Sequence, residues 1–171
     1  MKTLYLLRHA KAEPGTKVIS DRDRVLSARG REACDAVGAY MKAKEYLPAF
    51  MLSSPSARTK ETLEHVAKAL GPKNVAHRFE ESLYLATAGE ILHAVQSLGD
   101  DIASAMVVGH NPGMHHLSLL LSEPRHTKLR TTLELKYPTC ALAVLRFATK
   151  SWASIAPGFA TLADFVTPGD L

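Results

Sequence analysis

Leu4-Tyr5-Leu6-Leu7 is an unbroken apolar run near the start of the chain, the pattern of a short strand covered on both faces. Ala105-Met106-Val107-Val108 repeats it and is the most strand-like run in the chain, and Phe50-Met51-Leu52-Ser53 and Val75 to Arg78 give two shorter candidates. Between these runs the apolar period changes from two to helical. Ser27 reads as an N-cap, followed by Ala33, Val37, Tyr40 and Met41 at helical spacing as far as about Lys44. A second helix is expected from about Ser56 to Leu70, stopped by Gly71-Pro72, and a third from Ala88 to Leu98, ended by Gly99-Asp100. A fourth opens with Asn111 as cap and Pro112 at the first helical position and runs to about Leu121. From there to Glu134 the pattern assigns no element. Beyond Glu134 it turns β-rich, with strands predicted over Cys140–Phe147, Ser151–Ile155 and Ala160–Phe165. Glu13 to Arg24, rich in Pro, Gly and charge, reads as a loop.

Strands alternating with helices predict an α/β fold. The expected form is a three-layer sandwich: a mostly parallel central sheet flanked by helices, with antiparallel strands at the C-terminal edge. No linker or repeat divides residues 1–171, so a single domain is expected. An apolar fraction of 46% with 22% charged residues is that of a globular protein with a real core. No apolar stretch approaches the ~20 residues that span a bilayer, and the N-terminal run is too short for a signal segment. The net charge of +4, from 21 Lys and Arg against 17 Asp and Glu, suits an anionic substrate. The basic residues are scattered rather than blocked, which argues against nucleic acid. Cys34 and Cys140 lack metal-ligand spacing and read as small core residues, from which a cytoplasmic location follows.

Three constellations carry candidate chemistry, and each leaves a predicted strand. Leu7-Arg8-His9 follows the first, where ligands of open α/β sheets collect beyond the strands' carboxyl ends. Ser53-Ser54-Pro55-Ser56-Ala57-Arg58 leads into a helix and places a cation in its first turn, mildly unfavourable to the helix unless something negative binds nearby. Val108-Gly109-His110-Asn111-Pro112 puts a histidine at a third strand-to-helix junction. Taken singly, each is as well explained by a loop, a solvated arginine or a capping histidine. Ser53, Ser54 and Thr59 read equally as phosphate contacts or caps, and His115 and His116 lack the companions a metal site needs.

The ordered set resembles the histidine phosphatase superfamily, which includes the phosphoglycerate mutases. Leu7-Arg8-His9, the Ser53 to Thr62 segment and Val108-Gly109-His110-Asn111-Pro112 carry the likeness, and Asp23-Arg24-Val25-Leu26-Ser27-Ala28-Arg29-Gly30 looks like the family's loop before its first helix. The short chain is similar to the small bacterial phosphohistidine phosphatases, since it has no room for the mutases' insertions. The resemblance implies His9 as the phosphoryl-accepting nucleophile, surrounded by Arg8, Arg58 and a protonated His110. Arg24 and Asn111 are further substrate-binding candidates, and Glu81 is the preferred general acid over Glu80. It also implies neither metal nor cofactor; a monomer is compatible with the sequence, which does not fix the oligomeric state. The substrate would be a phosphohistidine protein, or alternatively a small phosphate ester. A non-catalytic phosphoryl-binding module is the reading from another class.

Overall fold

The computed structural model describes residues 1–71 and 74–171. Six strands form one sheet: β1 (Lys2–Arg8), β2 (Phe50–Ser53), β3 (Ala76–Phe79), β4 (Ser104–Gly109), β5 (Leu142–Phe147) and β6 (Ala160–Val166). Their spatial order is β3-β2-β4-β1-β5-β6. The first four run parallel, β5 is antiparallel to β1, and β6 is antiparallel to β5. Among the described residues five α-helices accompany them: α1 (Ala28–Ala43), α2 (Ala57–Leu70), α3 (Ala88–Gln96), α4 (Gly113–Leu121) and α5 (Lys128–Leu135).

Alternation along the central strands divides the core into two layers. Leu4, Leu6, Ala105, Val107, Ala143 and Leu145 pack toward Ile91 of α3, Leu117 of α4 and Leu133 of α5. Tyr5, Leu7, Met106, Val108, Leu142 and Val144 pack toward Val37 and Met41 of α1 and Leu63 and Val66 of α2. The expected α/β sandwich is therefore present, with the unbroken apolar runs of β1 and β4 at its centre because both faces are covered. Each fully buried Leu or Val side chain contributes roughly 1.5–3 kcal/mol.

Three local expectations need correction. Ser151–Ile155 is no strand: Trp152–Ser154 forms a 3-10 turn. The indole drives it, because a wholly buried Trp152 finds the Ile102 carbonyl for its Nε1–H at 2.8 Å while its backbone N–H donates to Asp100 Oδ1 at 3.0 Å. Helix α4 starts at Gly113 with Pro112 in the N-cap position, so Asn111 lies outside the helix; its Oδ1 still accepts the His115 N–H at 3.2 Å. The unassigned segment holds α5, whose N-cap Thr127 accepts the Arg130 N–H at 3.1 Å. As expected, Ser27 caps α1 and Gly71 ends α2, at φ 129°; Pro72 lies outside the described residues. Both cysteines are free and buried.

Candidate active site

Strand register sets the site. Arg8 pairs with Gly109 across β1 and β4, and Ser53 pairs with Val108 across β2 and β4, so three strands end almost level. His9, Ser54 and His110 are the next residues along these chains and emerge together at the carboxyl edge of the sheet. Arg8, His9, Arg58 and His110 line one cleft of about 360 Å³, with Lys11, Arg24 and Asn111 at its walls.

The backbone of His9 is fixed on both sides: its N–H donates to the Gly109 carbonyl at 3.0 Å, and its own carbonyl accepts the Cys140 N–H at 3.0 Å. The next residue, Ala10, donates its N–H to Thr62 Oγ1 at 3.0 Å, and that hydroxyl donates to the Arg58 carbonyl at 2.7 Å, which ties the segment after β1 to α2. His9 Nδ1 lies 2.7 Å from the Ala10 carbonyl. A carbonyl only accepts, so Nδ1 carries the proton and Nε2 keeps the lone pair. Burial, with Arg58, Arg8 and Arg24 close by, lowers the His9 pKa to about 4. The ring is neutral and nucleophilic at pH 7.

His110 is almost wholly buried, its ring centroid 5.3 Å from that of His9. Its Nδ1 is 3.3 Å from Arg58 Nη2 and its Nε2 is 2.8 Å from Ser54 Oγ. The guanidinium has no acceptor, so Nδ1 accepts and Nε2–H donates to Ser54. Burial first, then His9 and Arg58, lowers the His110 pKa to about 3. The expectation of a protonated His110 is thus corrected for the ligand-free site: the imidazole is neutral, and only an incoming anion would favour a second proton.

Arg8 Nη1 donates to the Tyr137 carbonyl at 2.9 Å. Arg58, 3% exposed, donates Nη1 to the Asp21 carbonyl at 2.7 Å and Nη2 to Asp21 Oδ2 at 3.1 Å. The Nε–H groups of both arginines are buried and, among the described residues, have no hydrogen-bond partner. An unpaired buried donor on a charged group costs several kcal/mol unless a ligand satisfies it, and two such donors beside a neutral imidazole suit an oxyanion.

The remaining candidates separate clearly. Arg24 reaches the cleft wall, held by the Glu13 carbonyl at 2.8 Å and by Asp21 Oδ1 at 3.0 Å. Asn111 also lines the cleft, but its Nδ2 is spent on the Tyr137 carbonyl at 2.9 Å. Glu81 is exposed and ion-paired with Arg22, and this pairing holds its carboxyl below the usual range; it is not among the residues lining the cleft. Glu80 is paired with Arg78. His115 Nε2 lies 2.6 Å from the Leu133 carbonyl, a structural contact between α4 and α5. Thr59 belongs to the capping network of α2, where its hydroxyl donates to the Ser54 carbonyl at 2.7 Å.

Asp21 and Tyr84 were not legible as site residues. The Tyr84 hydroxyl donates to Asp21 Oδ2, and its ring stands edge-on to His110 at 5.5 Å. With Tyr84, Arg24 and Arg58 around it, the Asp21 carboxyl is lowered to about 2. Tyr137 reaches 2.5 Å from its hydroxyl to the Leu6 carbonyl and presents its own carbonyl to Arg8 and Asn111.

Fold and site together define a class: an α/β protein that gathers paired histidines and arginines around an anion-sized cleft at the carboxyl edge of its sheet. The profile of the histidine phosphatase superfamily (branch 1) matches residues 4–95, and the chain belongs to that superfamily. An uncharacterized protein of Mycobacterium tuberculosis (strain H37Rv) is 34% identical over 167 residues, 95% of this chain and 99% of the relative. Two solved structures are also similar, both of proteins described as candidate phosphohistidine phosphatases SixA. The one from Nakamurella multipartitia has a TM-score of 0.83 at 27% identity, covering 98% of this chain and 96% of that one. The other, from Agrobacterium tumefaciens, has a TM-score of 0.81 at 27% identity, covering 98% of both chains. No helix among the described residues is long and apolar enough to cross a membrane.

Proposed function

We propose that the protein is a phosphatase whose His9 Nε2 accepts a phosphoryl group, with phosphohistidine in a protein as substrate. The observation that carries this reading is the pair of partnerless buried Nε–H groups of Arg8 and Arg58 beside a histidine whose free nitrogen is Nε2. In the first step the Nε2–P bond forms as the bond from phosphorus to the leaving group breaks. In the second, water attacks phosphorus, Nε2–P breaks, and phosphate leaves with the imidazole restored. Charge on the phosphoryl oxygens is met by Arg8 and Arg58, with Arg24 at the rim and Asn111 holding the wall behind. Phosphoryl transfer is catalysed mainly by such positioning and electrostatics; one guanidinium ~4 Å from a unit charge gives about 4 kcal/mol at an effective dielectric of ~20.

The SixA likeness supports the phosphohistidine substrate, and so does the state of Glu81. An ester needs a proton for its alkoxide, whereas Glu81 sits ion-paired outside the cleft and ionised at neutral pH. Imidazole is a better leaving group and depends less on such an acid.

His9→Ala is expected to abolish dephosphorylation of a phosphohistidine protein, and wild type quenched during turnover should hold acid-labile, alkali-stable phosphate on His9. Full activity of the variant defeats the mechanism. Faster hydrolysis of small phosphate esters than of phosphohistidine, lost in Glu81→Gln, would instead establish the ester reading.

A further inference from the structure

A second cleft, of about 340 Å³, adjoins the catalytic one and shares Lys11 and Thr139 with it. Its other walls include Arg29, Lys136 and Thr167, and no carboxylate lines it. Lys11, Arg29 and Lys136 are exposed, and among the described residues none has a carboxylate within ion-pair distance. Asp170, on the segment that closes the cleft, has its Oδ2 turned onto the Thr167 N–H at 2.9 Å and hydroxyl at 3.0 Å.

The arrangement is held by the parts that hold the active site. The Lys11 carbonyl accepts the Ser27 N–H at 2.9 Å and the Ser27 hydroxyl at 3.1 Å. Helix α1 approaches so closely that a Cβ on Gly30 would lie 2.1 Å from the Lys11 carbonyl oxygen, so only glycine lets Arg29 stand beside Lys11. Lys136 directly precedes Tyr137, whose carbonyl anchors Arg8, and Thr139 precedes Cys140, whose N–H anchors His9. A ligand held at His9 would have this cleft directly beside it.

We propose that this cleft receives acidic side chains flanking the phosphohistidine of a protein substrate. The inference rests on the phosphatase reading above. The catalytic cleft offers its anion a buried Arg58 and a half-buried Arg8, each with a buried Nε–H that has no partner among the described residues, as a phosphoryl group requires. Here the cations are exposed, mostly lysine, and come from three separate segments. Such a set attracts several singly charged carboxylates along a chain by charge complementarity, each weakly, and steers their approach.

The test compares two phosphohistidine peptides, identical except for flanking glutamates or glutamines, with phosphoramidate as a substrate that has no flanks. At low ionic strength the wild-type protein should show about tenfold higher kcat/KM for the glutamate peptide, an advantage that shrinks as salt is raised. In the Arg29→Glu/Lys136→Glu variant the ratio between the peptides should fall to one or below; because both peptides are measured on the same protein, losses in folding cancel. Equal wild-type rates on the two peptides, or a ratio unchanged in the variant, overturn the proposal while leaving the phosphatase intact. Failure to hydrolyse either peptide or phosphoramidate defeats the phosphatase reading itself. Preference for a small bisphosphorylated ester over both peptides also overturns the acidic-segment proposal.

Discussion

Arg58 is held from two directions. Asp21 takes its Nη1 with a backbone carbonyl and its Nη2 with a carboxylate, while Nη2 also faces His110 Nδ1. The same carboxylate accepts the Tyr84 hydroxyl and Arg24, so one residue orients three groups around the cleft. Asp21→Asn keeps the backbone contact and removes the charge. The expected result is a kcat lowered about tenfold through a loosened Arg58, with KM unchanged or lower because the cleft becomes more positive. An unchanged kcat would show that the carboxylate does not position Arg58. This residue also marks where sequence reading stopped. Arg8, His9 and His110 lie at strand ends and Arg58 in the first turn of the helix after β2, places the apolar pattern locates, and the ordered set of motifs, through its family resemblance, singled them out. Asp21 opens a 3-10 turn, Asp21–Asp23, inside the segment read as a loop, and its carboxylate finds its partners in Tyr84 and Arg58, far away in the chain, so no local pattern carries that information. Glu81 illustrates the converse: its place between the motifs made it a candidate, while the nearby Arg22 holds it outside the cleft.

At the level of elements, the parallel half of the fold was legible because β1 and β4 bury both faces and announce themselves as apolar runs. The C-terminal half was less so. Thr149, Ser151 and Ser154 make local bonds that favour a turn over a strand, and the buried indole beneath them decides the matter. Helix α5 was missed because its few apolar positions leave only Leu133 fully buried, too narrow a stripe to read as a period. The approach of α4 to the loop after Leu83 depends on one residue: a Cβ on Gly113 would stand 2.0 Å from the Ala86 carbonyl oxygen and 3.0 Å from Ile91 Cδ1. The Ile91 tip could turn aside, but the nearer neighbour is backbone and cannot. Gly113→Ala is therefore expected to destabilise the fold by roughly 2–4 kcal/mol, as an overpacked core does, and to disturb Leu85 at the cleft wall. A urea midpoint equal to wild type would mean that α4 and this loop can part without loss.

For the whole molecule, burying two neutral histidines between arginines couples the site to stability through pH. In the native state His9 stays unprotonated down to about pH 4 and His110 to about pH 3, whereas in the unfolded chain both take protons near pH ~6.5. Between those limits the unfolded state binds more protons, so acidification favours unfolding. The stabilising difference is complete above pH ~6.5 and is lost as the pH falls toward about 4. His9 alone would account for on the order of 3 kcal/mol; the two rings repel one another's charge, so their effects do not simply add. Asp21 adds a loss of its own as the pH falls from the ordinary carboxylate range toward about 2, the value to which its native carboxyl is lowered, so it overlaps this window only at the acid end. Urea denaturation from about pH 7.5 down to about pH 4 should thus show a falling midpoint in the wild-type protein and a shallower fall in His9→Gln/His110→Gln, which has no imidazole to charge at the site. Activity should divide from stability over the same range: with an acid-stable ester, kcat/KM should hold its acid limb near pH 4, because the nucleophile of the free enzyme stays neutral until then. An acid limb near 6.5, together with equal slopes of stability for wild type and variant, would mean that His9 is hydrated and ordinary, and the buried-imidazole account of the site would fall.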